Sequence, residues 1–452
     1  VSVEKILTPR RIFWFWLPLA MMWLMMAVEQ PAISAVMTRL PNPEINLAAF
    51  GVTFALALMI EGPVIMLLSA GTALPRDRQS YNQLMRFTHI MTITLTALHL
   101  LVGLTPLYGL LVRGLIGAPE EVVELSRHGF LLMTPWTAAI AYRRLWQGVL
   151  IRFDRTKVVP ITIAARLLIT TLTLAIGLVW GEINGVYIAS IGLSIGVIAA
   201  AVVSYAFART TIQEHLSADA TDGKPLTLPD LLSFYVPLAL TSLIVLANQP
   251  LFSTALSRAP DPLLSLAVWP VIMSVLFLGR STAMSYQEAV VALLANSQTY
   301  RQLQRFAWTL AAILGVAFGV FAITPLAHWW YSVVAGLPPH LVEFTLLPTL
   351  LIAPLPAIAT LISWQRGVLV HLRRTQFITH SVAISLVLLV TMLILGAWLL
   401  PLPGATIAAL SLTTSVFGEW IYLWWRSRSA AQQSGYSATT QTPAQAVAVR
   451  QG

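Results

Sequence analysis

The chain has 452 residues, 57% hydrophobic and 10% charged, with a net charge of +9 and no cysteine. A soluble protein of this length carries roughly 25% charged residues, so the composition excludes an ordinary soluble fold. The missing cysteines exclude disulfides, thiolate metal sites and cysteine nucleophiles.

Apolar runs recur from end to end, each long enough to cross a hydrocarbon core of about 30 Å. Twelve spans are predicted, near 12–38, 46–73, 86–112, 128–151, 158–180 and 183–208, then 231–257, 263–288, 305–334, 344–370, 377–399 and 403–426. The fold class is an all-α polytopic membrane protein of two parallel six-helix bundles. The first bundle is expected over 1–210, a linker over 211–229, the second bundle over 230–428 and a disordered tail over 429–452. The first span follows Arg10 and Arg11, is too long for a signal-peptide core and lacks a cleavage site, so it is expected to be retained.

That first span, between Pro18 and Pro43, carries Glu29, Gln30 and Pro31 at its middle. Pro31 removes a backbone donor, so the helix is expected to break or kink there. Glu29 and Gln30 then line a central cleft as a substrate or coupling-ion site, or they stabilise the kink. The second span carries Glu61. The fourth carries Arg143 and Arg144, with Gln147 one turn after Arg143 on the same face. Guanidiniums in a cavity bind carboxylates and phosphates bidentately; the alternative is snorkelling to the headgroups. Arg166 in the fifth span faces either way.

The second half repeats the first at a constant offset of 219 residues: Pro18 and Pro237, Pro31 and Pro250, Pro43 and Pro262. Seven prolines pair in this way where chance would pair about one. Asn248, Gln249 and Pro250 stand at the positions of Glu29, Gln30 and Pro31, so the kink and the amide recur and the carboxylate does not. Arg280 stands at the position of Glu61, and the two could meet as a salt bridge, a gate or an anion site with its counter-ion. Arg366 lies late in the tenth span, and Glu419 in the last is expected to pair with an intramembrane arginine. An unpaired charge at mid-bilayer costs about 2.5–3.5 kcal/mol on insertion scales, so each of these charges is expected to face a cavity or a partner.

Six spans per repeat place both halves in the membrane in the same sense, about an axis along the membrane normal. Lysine and arginine gather on one side, with Lys5, Arg10, Arg11, Arg76, Arg78, Arg152, Lys157, Arg209, Lys224 and Arg428 among them. Arg39, Arg113, Arg127 and Arg258 lie on the other. Both termini are expected to be cytoplasmic in the cell (plasma or inner) membrane, and the basic charge is a topological signal or attracts anionic lipid. Nucleic acid is not an expected partner. His89, His99 and His328 read as isolated hydrogen-bonding residues, and Trp14, Trp16, Trp329, Trp330, Trp424 and Trp425 as interfacial belts. No phosphate-binding loop, zinc motif or serine elbow is present, so the chain is not read as an enzyme and any active transport is secondary.

The stretches EQPAISAV at 29–36, LLSFYVPLAL at 231–240, Ser257-Arg258 and GATIAALSLTTSVFGE at 404–419 resemble the multidrug/oligosaccharidyl-lipid/polysaccharide (MOP, MATE-like) exporter superfamily, and within it the progressive ankylosis (ANKH-type) proteins. The resemblance implies a V-shaped pair of bundles that rock between inward- and outward-open states. It also implies export of small polyanions such as pyrophosphate, ATP or citrate, and it places Glu29 and Gln30 on the family's Glu-Gln pair. The expected site is Arg143, Arg144, Gln147, Arg280, Arg366, Gln30, Asn248 and Gln249 for the anion, with Glu29 and Glu61 for coupling or gating. No metal or cofactor is expected beyond a coupling proton or sodium ion, and the protein is read as a monomer among membrane lipids. The competing readings are a cation-coupled multidrug exporter and a flippase of a lipid-linked pyrophosphate precursor.

Overall fold

The computed structural model describes residues 7–153, 155, 157–216, 226–246, 248–372 and 374–436. Its helices form twelve rods. The first six are α1 (Pro9–Met37), α2 (Pro43–Ala73, with a tighter 3₁₀ turn at Gly62–Met66), α3 (Arg78–Leu104), α4 (Glu120–Leu132 and Thr134–Arg152), α5 (Val158–Trp180) and α6 (Gly185–His215). The second six are α7 (Leu228–Leu246 and Asn248–Arg258), α8 (Pro262–Leu293), α9 (Ser297–Ile323), α10 (Pro339–His371), α11 (Gln376–Leu399) and α12 (Gly404–Gln433). Among the described residues nine rods are long and apolar enough to cross a membrane, all but α4, α7 and α12.

The repeat written in the prolines is also a repeat of boundaries and caps. Asp77 starts α3 by accepting the Ser80 amide at 2.7 Å, and Asn296 starts α9 by accepting the Thr299 amide at 2.9 Å. These caps sit at offset-related positions, and they begin both helices earlier than hydropathy predicts. The first turns are polar yet helical, because the cap satisfies backbone donors that apolarity does not register. Asp77→Ala is expected to cost about 1 kcal/mol of stability, seen as a lower thermal midpoint. Asn42 and Asp261 take the left-handed conformation just before Pro43 and Pro262, at φ 50° and 53°.

Two expectations are corrected. Helix α1 is not broken at Pro31, because it runs unbroken from Pro9 to Met37 with Pro18 and Pro31 inside it. The C-terminal helix does not end near 428. It continues to Gln433, and the Tyr436 hydroxyl donates to Ala295 O at 3.2 Å, so the first residues of the expected tail are packed. The rest of that tail, and the linker over 217–225, lie outside the described residues.

Each bundle packs its fourth and fifth rods against its sixth, and α2 meets α8 between the bundles. Helix α4 comes onto the end of α2 at a glycine crossing. A Cβ on Gly148 would lie 2.4 Å from Leu68 O, and one on Gly71 would lie 2.6 Å from Leu145 O. Gly148→Ala must therefore push the two helices apart, and it is expected to destabilise by about 1–3 kcal/mol, read as a lowered thermal midpoint. This crossing carries Arg143 and Arg144 on α4 toward Glu61 on α2.

The first rod of each half reaches the other bundle with its N-terminal end, while the rest of α1 packs on its own α5. The end of α1 nearest the N-terminus packs Leu7, Ile12, Trp16 and Ala20 against Tyr286, Val290, Leu303 and Trp364 of the second half. The Trp16 indole donates to Thr282 O at 3.2 Å. Tyr235, the offset equivalent of Trp16, donates to Pro63 O, the offset equivalent of Thr282 O. Trp16 is thus buried in a cross-bundle contact and is not part of an interfacial belt.

Candidate functional site

The polar interior of the first bundle closes around a cavity of about 240 Å³. Its charged lining is Glu29 from α1, Glu61 from α2, Arg143 and Arg144 from α4, and Arg166 from α5. The Arg166 guanidinium grips Glu29 with two prongs: Nε donates to Oε1 at 2.9 Å and Nη2 donates to Oε2. The Thr170 hydroxyl lies 3.1 Å from the same Oε1. Glu29 is therefore neutralised in place, as a bidentate arginine pair does best. Arg166→Gln would leave a buried carboxylate without its partner, and a loss of about 3–5 kcal/mol in stability is expected. Glu29→Gln in the same chain is expected to restore most of it in thermal unfolding.

Arg143, Arg144 and Glu61 are different. Among the described residues no salt bridge joins Arg143 or Arg144 to any acid, and their buried Nε atoms have no hydrogen-bond partner. The Oε2 of Glu61 is likewise buried and unbonded. The indole nitrogen of Trp136, in the same cavity wall, also lacks an acceptor. Buried polar groups are almost always paired, so this set of three donors and one acceptor marks a place with spare hydrogen-bonding capacity, which water or a ligand can use.

The other expected residues fall elsewhere. Gln147 is not part of this cavity, because its amide donates to Thr162 Oγ1 at 2.7 Å. Arg366 donates to Glu419, and Arg280 faces that pair, forming a second charge cluster inside the second bundle. No salt bridge joins Glu61 to Arg280 among the described residues. The charges that face Glu61 are Arg144, Arg143 and Arg166, all from its own bundle. Offset-related positions occupy the same place in each bundle, and they meet only if that place lies on the axis. Asn248 lines neither this cavity nor its neighbour; its Oδ1 is buried without a bond. His99 is a core residue, stacked at 3.8 Å on the Phe130 ring with Nε2 2.7 Å from Phe130 O, while its Nδ1 is buried without a partner among the described residues.

A second cavity of about 390 Å³ lies between the bundles, against α2 and α8. Gln30 and Gln249, offset equivalents, both line it, and its other walls are mostly Phe, Leu, Trp and Met.

At the end of the bundles away from the termini, Arg39 and Arg258 reach across the interface reciprocally. Arg39 donates to Val333 O at 2.7 Å and Val334 O at 3.2 Å; Arg258 donates to Leu115 O at 2.8 Å and Gly114 O at 3.2 Å. Each acceptor pair closes a short π-helical turn, after which Gly117 or Gly336 takes φ 81° or 70°. His340 and Glu44 join the bundles at the same end, at 2.6 Å. The sequence marks Arg39 as a side marker and Arg258 as a side marker and part of the resemblance, and the signal that links them is their separation of 219.

The architecture matches solved structures across nearly its whole length. A multidrug resistance MATE family transporter of the MOP superfamily in an inward-facing conformation superposes with a TM-score of 0.71 at 13% identity, covering 90% of this chain and 96% of the other. This chain has the fold of the MATE transporters. An outward-facing structure with the same family description gives 0.61 at 14% identity, covering 96% and 97%. The lipid II flippase MurJ in an inward closed conformation gives 0.69 at 13% identity, covering 90% and 86%. No protein-family model matches the sequence, and no curated protein matches it.

Proposed function

We propose that this protein is a secondary transporter of anions, working by alternating access, with Arg143 and Arg144 as the anion site. The observation that carries this is the excess of unmet donors in the first-bundle cavity: the Nε groups of the buried Arg143 and the half-buried Arg144 and the Trp136 indole, with the Glu61 carboxylate facing the arginines. A cation site in the same fold would present unmet acceptors instead. The MATE-like fold supplies the two bundles, and the basic end that carries both termini is taken as cytoplasmic. The finer reading is a progressive ankylosis-type exporter of pyrophosphate, citrate or ATP in the cell membrane. The small cavity favours the smaller of these anions over ATP. Coupling falls to Glu61, whose carboxylate is unbonded, and not to Glu29, which Arg166 holds.

The test is uptake into proteoliposomes of labelled citrate, pyrophosphate and ATP beside a fluorescent organic cation. Anion uptake is expected, and Glu61→Gln is expected to remove its dependence on the coupling ion. Uptake of the cation alone would overturn the proposal, and uptake of neither would point to lipid-linked substrates.

A further inference from the structure

The first-bundle cavity and the inter-bundle cavity share a wall. Gln30, Phe54, Leu58 and Phe277 line both. One chamber is charged and donor-rich. The other is larger and apolar, with Phe50, Trp269 and Met273 among its walls. Its volume of about 390 Å³ lies in the range of a small-molecule site, which is roughly 300–1,000 Å³. A compact polyanion would use the first chamber and leave the second without a role. It would also meet a nearly balanced set of charges, because Glu29 cancels Arg166.

We infer that the substrate is an amphipathic anion, with a carboxylate or phosphate head held by Arg143 and Arg144 and an aromatic or aliphatic body lying in the chamber between the bundles. This rests on the anion-transport reading and narrows it. The shared wall places the body across the interface, in contact with α2 on one side and with α7 and α8 on the other. Phe277, the second bundle's contribution to the charged chamber, lies where head and body join.

The experiment compares two phosphates that differ only in body, 2-naphthyl phosphate and inorganic phosphate, with citrate as a second small anion. Labelled uptake is measured in proteoliposomes of the full chain. The naphthyl ester is expected to be taken up with at least ~10-fold higher kcat/KM than inorganic phosphate, a difference of about 1.4 kcal/mol. Ser253→Phe, which fills the apolar chamber only, is expected to erase that preference while leaving phosphate and citrate uptake intact; that retained uptake also reports correct folding. The wild-type ratio decides the matter if the variant does not fold. Equal or poorer uptake of the naphthyl ester, with small anions still transported, would overturn this inference and leave the anion reading standing. Transport of no anion at all would overturn both.

Discussion

Replacing Arg143 with glutamine is expected to impair transport and stabilise the protein at once. Arg143 is 3% exposed and has Arg144 and Arg166 as like-charged neighbours. A desolvated charge beside two of its own sign costs stability, and an uncharged amide of similar reach removes that cost. The gain should be about 1–3 kcal/mol in thermal unfolding. A charge-assisted hydrogen bond to an anion contributes about 1.5–3 kcal/mol, so kcat/KM for uptake should fall on the order of 10- to 100-fold. Glu61 keeps Arg144 as its facing charge, so the variant does not create a new unpaired acid. Opposite signs on stability and transport are the signature of a residue held for a ligand. A structural arginine would lower both, and that outcome would remove Arg143 from the site.

The second large effect is conformational. Arg39→Ala with Arg258→Ala removes four cross-bundle hydrogen bonds from guanidinium to backbone carbonyl. Both side chains are exposed, so the loss is set near 3 kcal/mol, less than the sum for buried charged donors. That is on the order of a 100-fold shift from the far-end-closed toward the far-end-open state. The chain has no cysteine, so spin labels at Gly114→Cys and Val333→Cys report the distance without background removal. The expected result is a longer distance in the double variant. Trp16→Phe with Tyr235→Phe, which removes the reciprocal bonds at the opposite end, should leave that distance short. An unchanged distance in the arginine variant would show that the far end is held by other contacts.

Much of this architecture is readable in the sequence for a physical reason. Prolines, left-handed turn residues and helix caps tolerate few substitutions, so a duplicated chain keeps them in register long after its apolar residues have drifted. The offset of Pro43 and Pro262, or of Gly117 and Gly336, therefore predicts the two bundles. The site is only half legible. Arg143 and Arg144 stand out because buried charge is costly. The side that Arg166 faces is written in Thr162 and Thr170, one turn before and after it on the same face of α5, a polar stripe that Arg166 taken alone does not reveal. The pairing of Arg39 with Val333 is invisible for another reason: its acceptor is a backbone carbonyl, which every residue carries. The equivalence of Glu61 and Arg280 suggests a contact that the structure does not make, since symmetry relates places and does not bring them together.

The reach of α1 into the second bundle also sets an order of assembly. Among the described residues, the near end of α1 clusters with second-half residues between Thr282 and Ala431, so this end is not fully packed when the first six helices have been made. At about 5–20 residues per second, Trp16 waits on the order of 15–60 s for Tyr300 to emerge from the ribosome. Its neighbours Phe13, Trp14 and Phe15 stay partly exposed even in the finished protein. A polypeptide cut in the linker would therefore yield a first half with an unsatisfied helix end, one that is completed only by the second half made after it.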